Sequence, residues 1–297
     1  MSKVTVVMPI YNAERYVADA INSIPAQTFK DFSLIIVDDG SADNSLGEIR
    51  RAVGRDPRCK VTTRENKGIV VTRNEGLRET FGEYLFLMDA DDISHFTRLA
   101  EQVCYLDMNP GCVALGTRMM PCDPDMLPIV EMIEAFDHDS IDSAHLNGDS
   151  AICNGSVGMR REAVVAAGGY LAEYECAEDF ELFLRLAEVG TVCNLPATLY
   201  SYRQHPSSVG HSRRALQIVS TRRAVEAACR RRGLAPPTND LSPTPHSSLA
   251  EIHRKWAWLA LIGKNPRTAR KHAFRAVCLE PWRRDNVVLL ACSIRGY

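Results

Sequence analysis

Tyr84-Leu85-Phe86-Leu87-Met88-Asp89-Ala90-Asp91-Asp92 runs five apolar residues straight into three carboxylates. An apolar run of this length, without polar alternation, reads as a strand covered on both faces, the habit of parallel strands in α/β sheets. Three carboxylates at its end repel one another and cost stability unless a cation sits among them. Hard oxygen ligands suit Mg²⁺ or Mn²⁺, which bind through one or two carboxylates together with substrate phosphates. The bland alternative is an acidic turn in which Asp92 caps the next helix, and for Asp92 alone that is the reading preferred.

Working outward from this strand, short apolar runs alternate with helical patterns. Strands are expected at 3–8, 32–37, 59–63, 84–88 and 113–116. Helices are expected at 13–26, with Asn12 as N-cap, and at 45–53, 69–81 and 96–108. This rhythm predicts an α/β sheet. Ligands of such sheets bind at the carboxyl ends of the strands, which singles out residues 9–12, 38–41, 65–68 and 89–92. Residues 121–150 are polar and acidic with weak helical patterning and read as a substrate-side insertion. A strand at 156–160, helices at 161–167 and 178–189, and two strands at 191–195 and 198–202 follow.

From residue 211 the pattern changes to basic helical stretches (216–231, 249–262, 266–278), with a Pro-rich linker at 235–245. The expected division is therefore a catalytic domain over 1–210 and a helical, basic extension over 211–297. Charge divides the same way. Residues 1–210 hold 18 Lys+Arg against 32 Asp+Glu, or −14; residues 211–297 hold 17 against 5, or +12, giving the net −2. That net charge implies no nucleic-acid partner for the whole chain. The basic part, with Trp256, Trp258 and Trp282, suits peripheral contact with an anionic bilayer. It equally suits a helical pair packed on the acidic domain, or a homodimer surface.

Ten cysteines without a C-x-x-C exclude a zinc knuckle or a thioredoxin-like motif and fit a reducing cytosol. The start, MSKVTVVMPIYN, is too short and too β-like for a signal peptide, and no apolar run reaches the ~18 residues of a spanning helix. The expected location is cytoplasmic, with a peripheral seat at the inner face of the membrane as the variant.

At the strand ends, Tyr11 after Pro9 offers a ring to stack on a nucleobase, or packs at a sheet edge. Asp38-Asp39-Gly40-Ser41 combines a carboxylate able to accept from a base N–H with a tight turn, or is an ordinary Asx turn. Lys67-Gly68 and Arg73-Asn74 bring cations to a helix start, where phosphate binds, or merely cap and solvate it. Glu178-Asp179 opens a helix, either as first-turn acids or with a general base. His205, after Tyr202-Arg203-Gln204, is a structural imidazole or a metal ligand. The P-loop, G-x-G-x-x-G and G-x-S-x-G patterns are all absent.

Taken in order, these pieces resemble the family 2 inverting glycosyltransferases of the GT-A fold. The matching stretches are residues 6–12 (VVMPIYN), 37–43 (VDDGSAD), Asn66-Lys67-Gly68 with 72–76 (TRNEG), 88–92 (MDADD), Glu178-Asp179 and Tyr202-Arg203-Gln204-His205. The match spans residues 1 to about 210. The resemblance implies a Rossmann-like mixed sheet flanked by helices, and a sugar moved from a nucleoside diphosphate, UDP-linked by expectation, to a hydroxyl of a glycan or lipid-linked glycan. It assigns the nucleotide to Pro9, Tyr11, Asp39, Lys67, Gly68, Arg73, Asp89 and Ala90. It places Mn²⁺ or Mg²⁺ on Asp91 with His205, and Asp89 on the donor ribose, a metal-bound water or the metal. Asp179 becomes the base, and Gly155 and Glu178 line the acceptor side. Pro25 departs from the pattern by interrupting the end of the first helix. The competing readings are a receiver-like Mg²⁺-binding module built on Asp38 and Asp39, a glycoside hydrolase using Asp91 and Asp179, and a donor-binding protein without catalysis.

Overall fold

The computed structural model describes residues 2–132, 135–205, 213–238 and 248–296. Contacts divide the chain into two compact units: 1–118 with 134–200 and 216–241, and 119–133 with 201–215 and 242–297.

The sheet has eight strands in the order β3-β2-β1-β4-β7-β6-β8-β5. These are β1 (Val4–Ile10), β2 (Phe32–Asp38), β3 (Cys59–Thr63), β4 (Tyr84–Leu87), β5 (Ile93–Ser94), β6 (Cys112–Cys122), β7 (Gly158–Arg160) and β8 (Thr191–Arg203). β1 lies parallel to both β2 and β4, pairing Val7 with Ile35 and with Leu87. β2 and β3 are parallel, while β7 runs antiparallel to β4 and β6. All four residues of β4 and six of the seven in β1 are buried, as their largely apolar sequences require. From β1 the chain builds outward to β2 and β3, then returns to place β4 on the other side. That reversal makes the carboxyl ends of β1 and β4 a topological switch point, the usual ligand crevice.

The helices in chain order are α1 (Val17–Asn22), α2 (Ser45–Val53), α3 (Ile69–Glu79), α4 (Arg98–Met108), α5 (His138–Leu146), α6 (Arg161–Ala166), α7 (Glu178–Leu186), α8 (Arg214–Arg232), α9 (Leu249–Ile262), α10 (Pro266–Leu279) and α11 (Arg284–Arg295). Several differ from expectation for physical reasons. α1 is six residues rather than fourteen, ending before Pro25, which disfavours helix at the preceding residue. The two strands expected near 191 and 198 are one strand, β8, that includes Pro196. Asp92 caps no helix: α4 starts at Arg98, after Thr97, and Asp92 is wholly buried. The Pro-rich linker falls largely on 239–247, outside the described residues.

In the first unit, Leu182, Phe183 and Leu186 of α7 enter the central core with Val7, Leu87 and Val157. The other side of α7, through Phe180 and Leu184, packs with Tyr174 on Ala224, Val225, Ala228 and Cys229 of α8. In the second unit, Ile129, Ile252, Trp256, Ala260 and Ala269 form one cluster and Ala257, Ala273 and Leu289 another. Ser248 and Glu251 close a capping box at the start of α9. The buried Asp123 carboxylate accepts from Lys271 Nζ and pairs with His272 Nε2 at 2.9 Å. His272 Nδ1 in turn lies 2.9 Å from His253 Nδ1.

Candidate functional site

The loops after β1 and β2 are laced together. Asn12 N–H donates to Ser41 Oγ (2.9 Å), Ala42 N–H to Asn12 Oδ1 (2.8 Å) and Ala13 N–H to Ser45 Oγ (2.8 Å). Asn12 therefore ties two loops instead of capping a helix. A turn on the Ala13 carbonyl precedes α1. Pro9 sits within β1 opposite Val37. Tyr11 stands just beyond the strand and is 55% exposed, so its ring has a free face.

Asp38 is buried and accepts from Ser41 N–H (3.2 Å) and Thr63 Oγ1 (2.8 Å), which is turn chemistry. Asp39 has a different job. Its Oδ1 accepts from Lys67 N–H (2.8 Å) and its Oδ2 from Gly68 N–H (2.9 Å), and the Arg64 guanidinium pairs with Oδ1. Arg64 also donates to Glu75 (2.8 Å) and to Thr72 Oγ1 (2.9 Å). Gly40, at φ 75°, lets this loop approach: a Cβ there would lie 2.7 Å from Asn66 N. Asp39 thus fastens the Lys67-Gly68 turn at the head of α3, and a carboxylate's roughly four acceptor sites leave room for one more donor. The Lys67 side chain is exposed, 3.9 Å from Glu75.

The second cluster gathers at the end of β4. Arg73, buried on α3, donates to Glu178 Oε1 at 2.5 Å and lies 3.8 Å from Asp89 Oδ1. Its guanidinium sits over the Tyr170 ring, 5.6 Å from the centroid. Asn74 holds the Tyr170 backbone by two bonds, donating to its carbonyl (2.8 Å) and accepting from its N–H (2.9 Å). Burial pushes the Asp89 carboxyl up to about 6; Arg73 opposes this, and Asp91, Asp179 and Glu178 add to it. Glu178 is also pushed up, by burial and by Asp179, against the pull of Arg73. Three carboxylates, Glu178, Asp179 and Asp89, thus share the field of the Arg73 guanidinium. Arg73 Nε, Glu178 Oε2 and the Tyr170 hydroxyl are buried without a hydrogen-bond partner. Orphaned buried polar atoms of this kind leave hydrogen-bonding capacity for an ordered water or a ligand.

Asp179, the second residue of α7, is partly buried and accepts from Phe180 N–H (2.8 Å). Ala90 and Asp91 are partly buried beside Asp89. Gly155 lies in the one-turn helix Asn154–Ser156, close against the same acid. A Cβ at this position would come within 2.6 Å of Asp89 Oδ2 and overlap the Tyr200 hydroxyl. Arg98 fixes this approach by donating to the Gly155 carbonyl (2.7 Å) and the Leu87 carbonyl (3.0 Å). Burial brings the Arg98 guanidinium down to about 10. His205 is partly buried and belongs to the second unit.

The structure therefore brings Arg73, Asp89, Gly155, Glu178 and Asp179 into one cluster and Asp39, Lys67 and Gly68 into another. Arg64, Arg98, Tyr170 and Tyr200 were not singled out from the sequence. For Arg98 there was a signal: Arg98, Gln102 and Leu106 share one apolar helix face, so two polar groups must be buried and paired.

Among the described residues no group of three or more His, Cys, Asp or Glu side chains could by itself hold a metal ion. The carboxylate excess around Asp89 still fits a hard dication that keeps other ligands from phosphate and water.

The sequence profile "Glycosyl transferase family 2" matches residues 5–165. The putative glycosyltransferase EpsE of Bacillus subtilis is 31% identical over 235 residues, covering 77% of this chain and 82% of that protein. An uncharacterized glycosyltransferase of Haemophilus influenzae is 28% identical over 222 residues, 68% of this chain and 65% of that protein. Among solved structures, S. aureus TarS 1–349 in complex with UDP superposes with a TM-score of 0.58 at 18% identity, covering 99% of this chain and 92% of that one. The mannosyltransferase PcManGT from Pyrobaculum calidifontis, in complex with GDP-Man and Mn²⁺, gives 0.60 at 19% identity, covering 99% and 80%. These likenesses displace the receiver-module and glycoside-hydrolase readings. With its mixed sheet flanked by helices and the family profile over more than half its length, the chain has the GT-A fold and belongs to glycosyltransferase family 2.

Proposed function

We propose that this glycosyltransferase moves a hexosyl group from a nucleoside-diphosphate sugar, UDP-linked, to a hydroxyl of a growing glycan or lipid-linked glycan in a single inverting displacement. The observation that carries the reading is the cluster at the end of β4. Asp89, Glu178 and Asp179 surround one guanidinium, and three buried polar atoms there lack partners. Support for the donor class comes from similar folds solved with UDP, UDP-GlcNAc and GDP-Man.

In this reading Tyr11 stacks on the base and the remaining acceptor capacity of Asp39 takes its N–H. Lys67 and Arg73 offer positive charge to the diphosphate. A divalent cation, Mn²⁺ or Mg²⁺, held by Asp91 with Asp89, would supply the charge that offsets the departing diphosphate. Asp179 takes the proton from the acceptor hydroxyl as its oxygen attacks the anomeric carbon. Glu178, held by Arg73, keeps the first turn of α7 in place on the acceptor side. Removal of the base is worth about 10²–10⁴-fold in transfer.

The test is Asp179→Asn in parallel with a calorimetric panel of UDP-, GDP- and dTDP-sugars with Mn²⁺. The variant is expected to bind donor as the wild type does and to lose at least about 100-fold in turnover. Near-normal turnover would remove Asp179 as base, and no binding of any nucleotide sugar would remove the reading as a whole.

A further inference from the structure

We propose that the second unit docks on an anionic lipid bilayer through the outer faces of α9 and α11 and the Trp282 turn before α11. On α9 the outward residues Glu251, Lys255, Trp258 and Ile262 recur at i, i+4, i+7 and i+11, so they share one face. On α11 the outward residues are Arg284, Asp285, Val287, Val288, Ala291, Ile294 and Arg295. Glu251, Arg254, Lys255 and Trp258 of α9 and Asp285 and Val288 of α11 line one open cleft of about 430 Å³, its two acids balanced by its two cations, so the two faces form one surface. Trp282, directly before Arg283 and Arg284, is 80% exposed.

Charge selects the occupant. Residues 248–296 hold ten Lys+Arg and three Asp+Glu. The three acids already have cations: Glu280 and Glu251 face Arg254 at 2.8 and 3.9 Å, and Asp285 faces Arg283 at 3.4 Å. Among the described residues Lys255 of α9, Lys264 just after it, and Arg284 and Arg295 of α11 meet no carboxylate within ion-pair distance. A second copy of this surface would bring the same excess of positive charge and be repelled. A bilayer with anionic headgroups meets both needs, since cations gain at the surface while Trp sits at the boundary of water and hydrocarbon. No helix among the described residues is long and apolar enough to cross a membrane, so the contact is of the kind that lies on the interface.

The inference is independent of the donor and of Asp179, and its test needs neither. The full chain is floated with phosphatidylcholine vesicles, with and without about one third phosphatidylglycerol. It is expected to bind only the anionic vesicles and to be released at about 0.5 M NaCl. The double variant Trp258→Ser/Trp282→Ser, and separately Lys255→Glu/Arg284→Glu, are each expected to lose at least about tenfold in partitioning. In the unmodified protein, brominated lipid is expected to quench tryptophan emission, a readout that does not depend on any variant folding. Absence of binding to anionic vesicles at low salt would overturn the proposal, as would binding without quenching. Self-association through this face, or capture of an acidic protein there without vesicle binding, would overturn it as well.

Discussion

Arg73 and Gly155 show how single residues position the acids at the end of β4. Arg73 is buried among Glu178, Asp89 and the Tyr170 ring. Arg73→Gln strands the Glu178 carboxylate in the interior, and removing one partner of a buried pair typically costs about 3–5 kcal/mol. Because both acids are pushed upward already, protonation relieves part of this loss. The destabilisation measured in urea should therefore be smaller at pH 5 than at pH 8. Gly155→Ala forces a methyl onto Asp89 and Tyr200, and should cost about 1–3 kcal/mol of stability together with most donor affinity. Unchanged donor affinity in that variant would detach Gly155 from the site. Asp89, Asp91 and Asp179 were legible as candidates because acids after a strand or at a helix start stand out. Tyr170 and Tyr200 were not, since an aromatic in an apolar context carries no mark of the charge it will face.

Helices and strands were legible where their hydrophobic period was clean: β3 and α9 fall on the expected residues. They were missed where tertiary contacts decide. β6 reaches eleven residues because sheet pairing extends a short apolar run, and α11 (Arg284–Arg295) has an exposed apolar face that blurs its pattern. α5 showed only as weak helical patterning inside a polar stretch, and it carries a pH-dependent weakness. Its His145 is wholly buried against Phe180 and Phe183, neither ring nitrogen has a hydrogen-bond partner, and burial brings the imidazole down to about 4. Between pH 6.5 and 4 the unfolded chain binds a proton that the folded one refuses, so stability falls as pH falls, by about 1.4 kcal/mol per unit. His145→Leu should remove that contribution. Urea unfolding at pH 7 and pH 5 should show the wild type losing about 2 kcal/mol more than the variant.

At the scale of the molecule, the two units draw on segments far apart in sequence: 216–241 joins the first and 119–133 the second. No hydrophobic period encodes which distant segments share a core, whereas the sheet class followed directly from the alternation of strands and helices. A donor that binds only the folded chain stabilises it by about 2.7 kcal/mol at a hundredfold excess over its dissociation constant. A matching nucleotide sugar with Mn²⁺ should therefore raise the melting temperature by several degrees. EDTA should remove both that shift and transfer activity, with Mn²⁺ or Mg²⁺ restoring them. Transfer that persists in EDTA would exclude a metal role for Asp91.

The packing of α7 against α8 also bears on how the protein is made. When the ribosome has released only residues 1–210, every strand of the sheet has been synthesised, but Phe180, Leu184 and Tyr174 still lack the cover of Ala224, Val225, Ala228 and Cys229. Until α8 arrives, the helix that carries Glu178 and Asp179 presents an apolar side to solvent. Nascent chains are prone to aggregation, and open to chaperones, at such a stage. Synthesis stalled between 210 and 232 should yield a chaperone-bound, protease-sensitive intermediate, and protection of α7 should appear only once residue 232 has emerged.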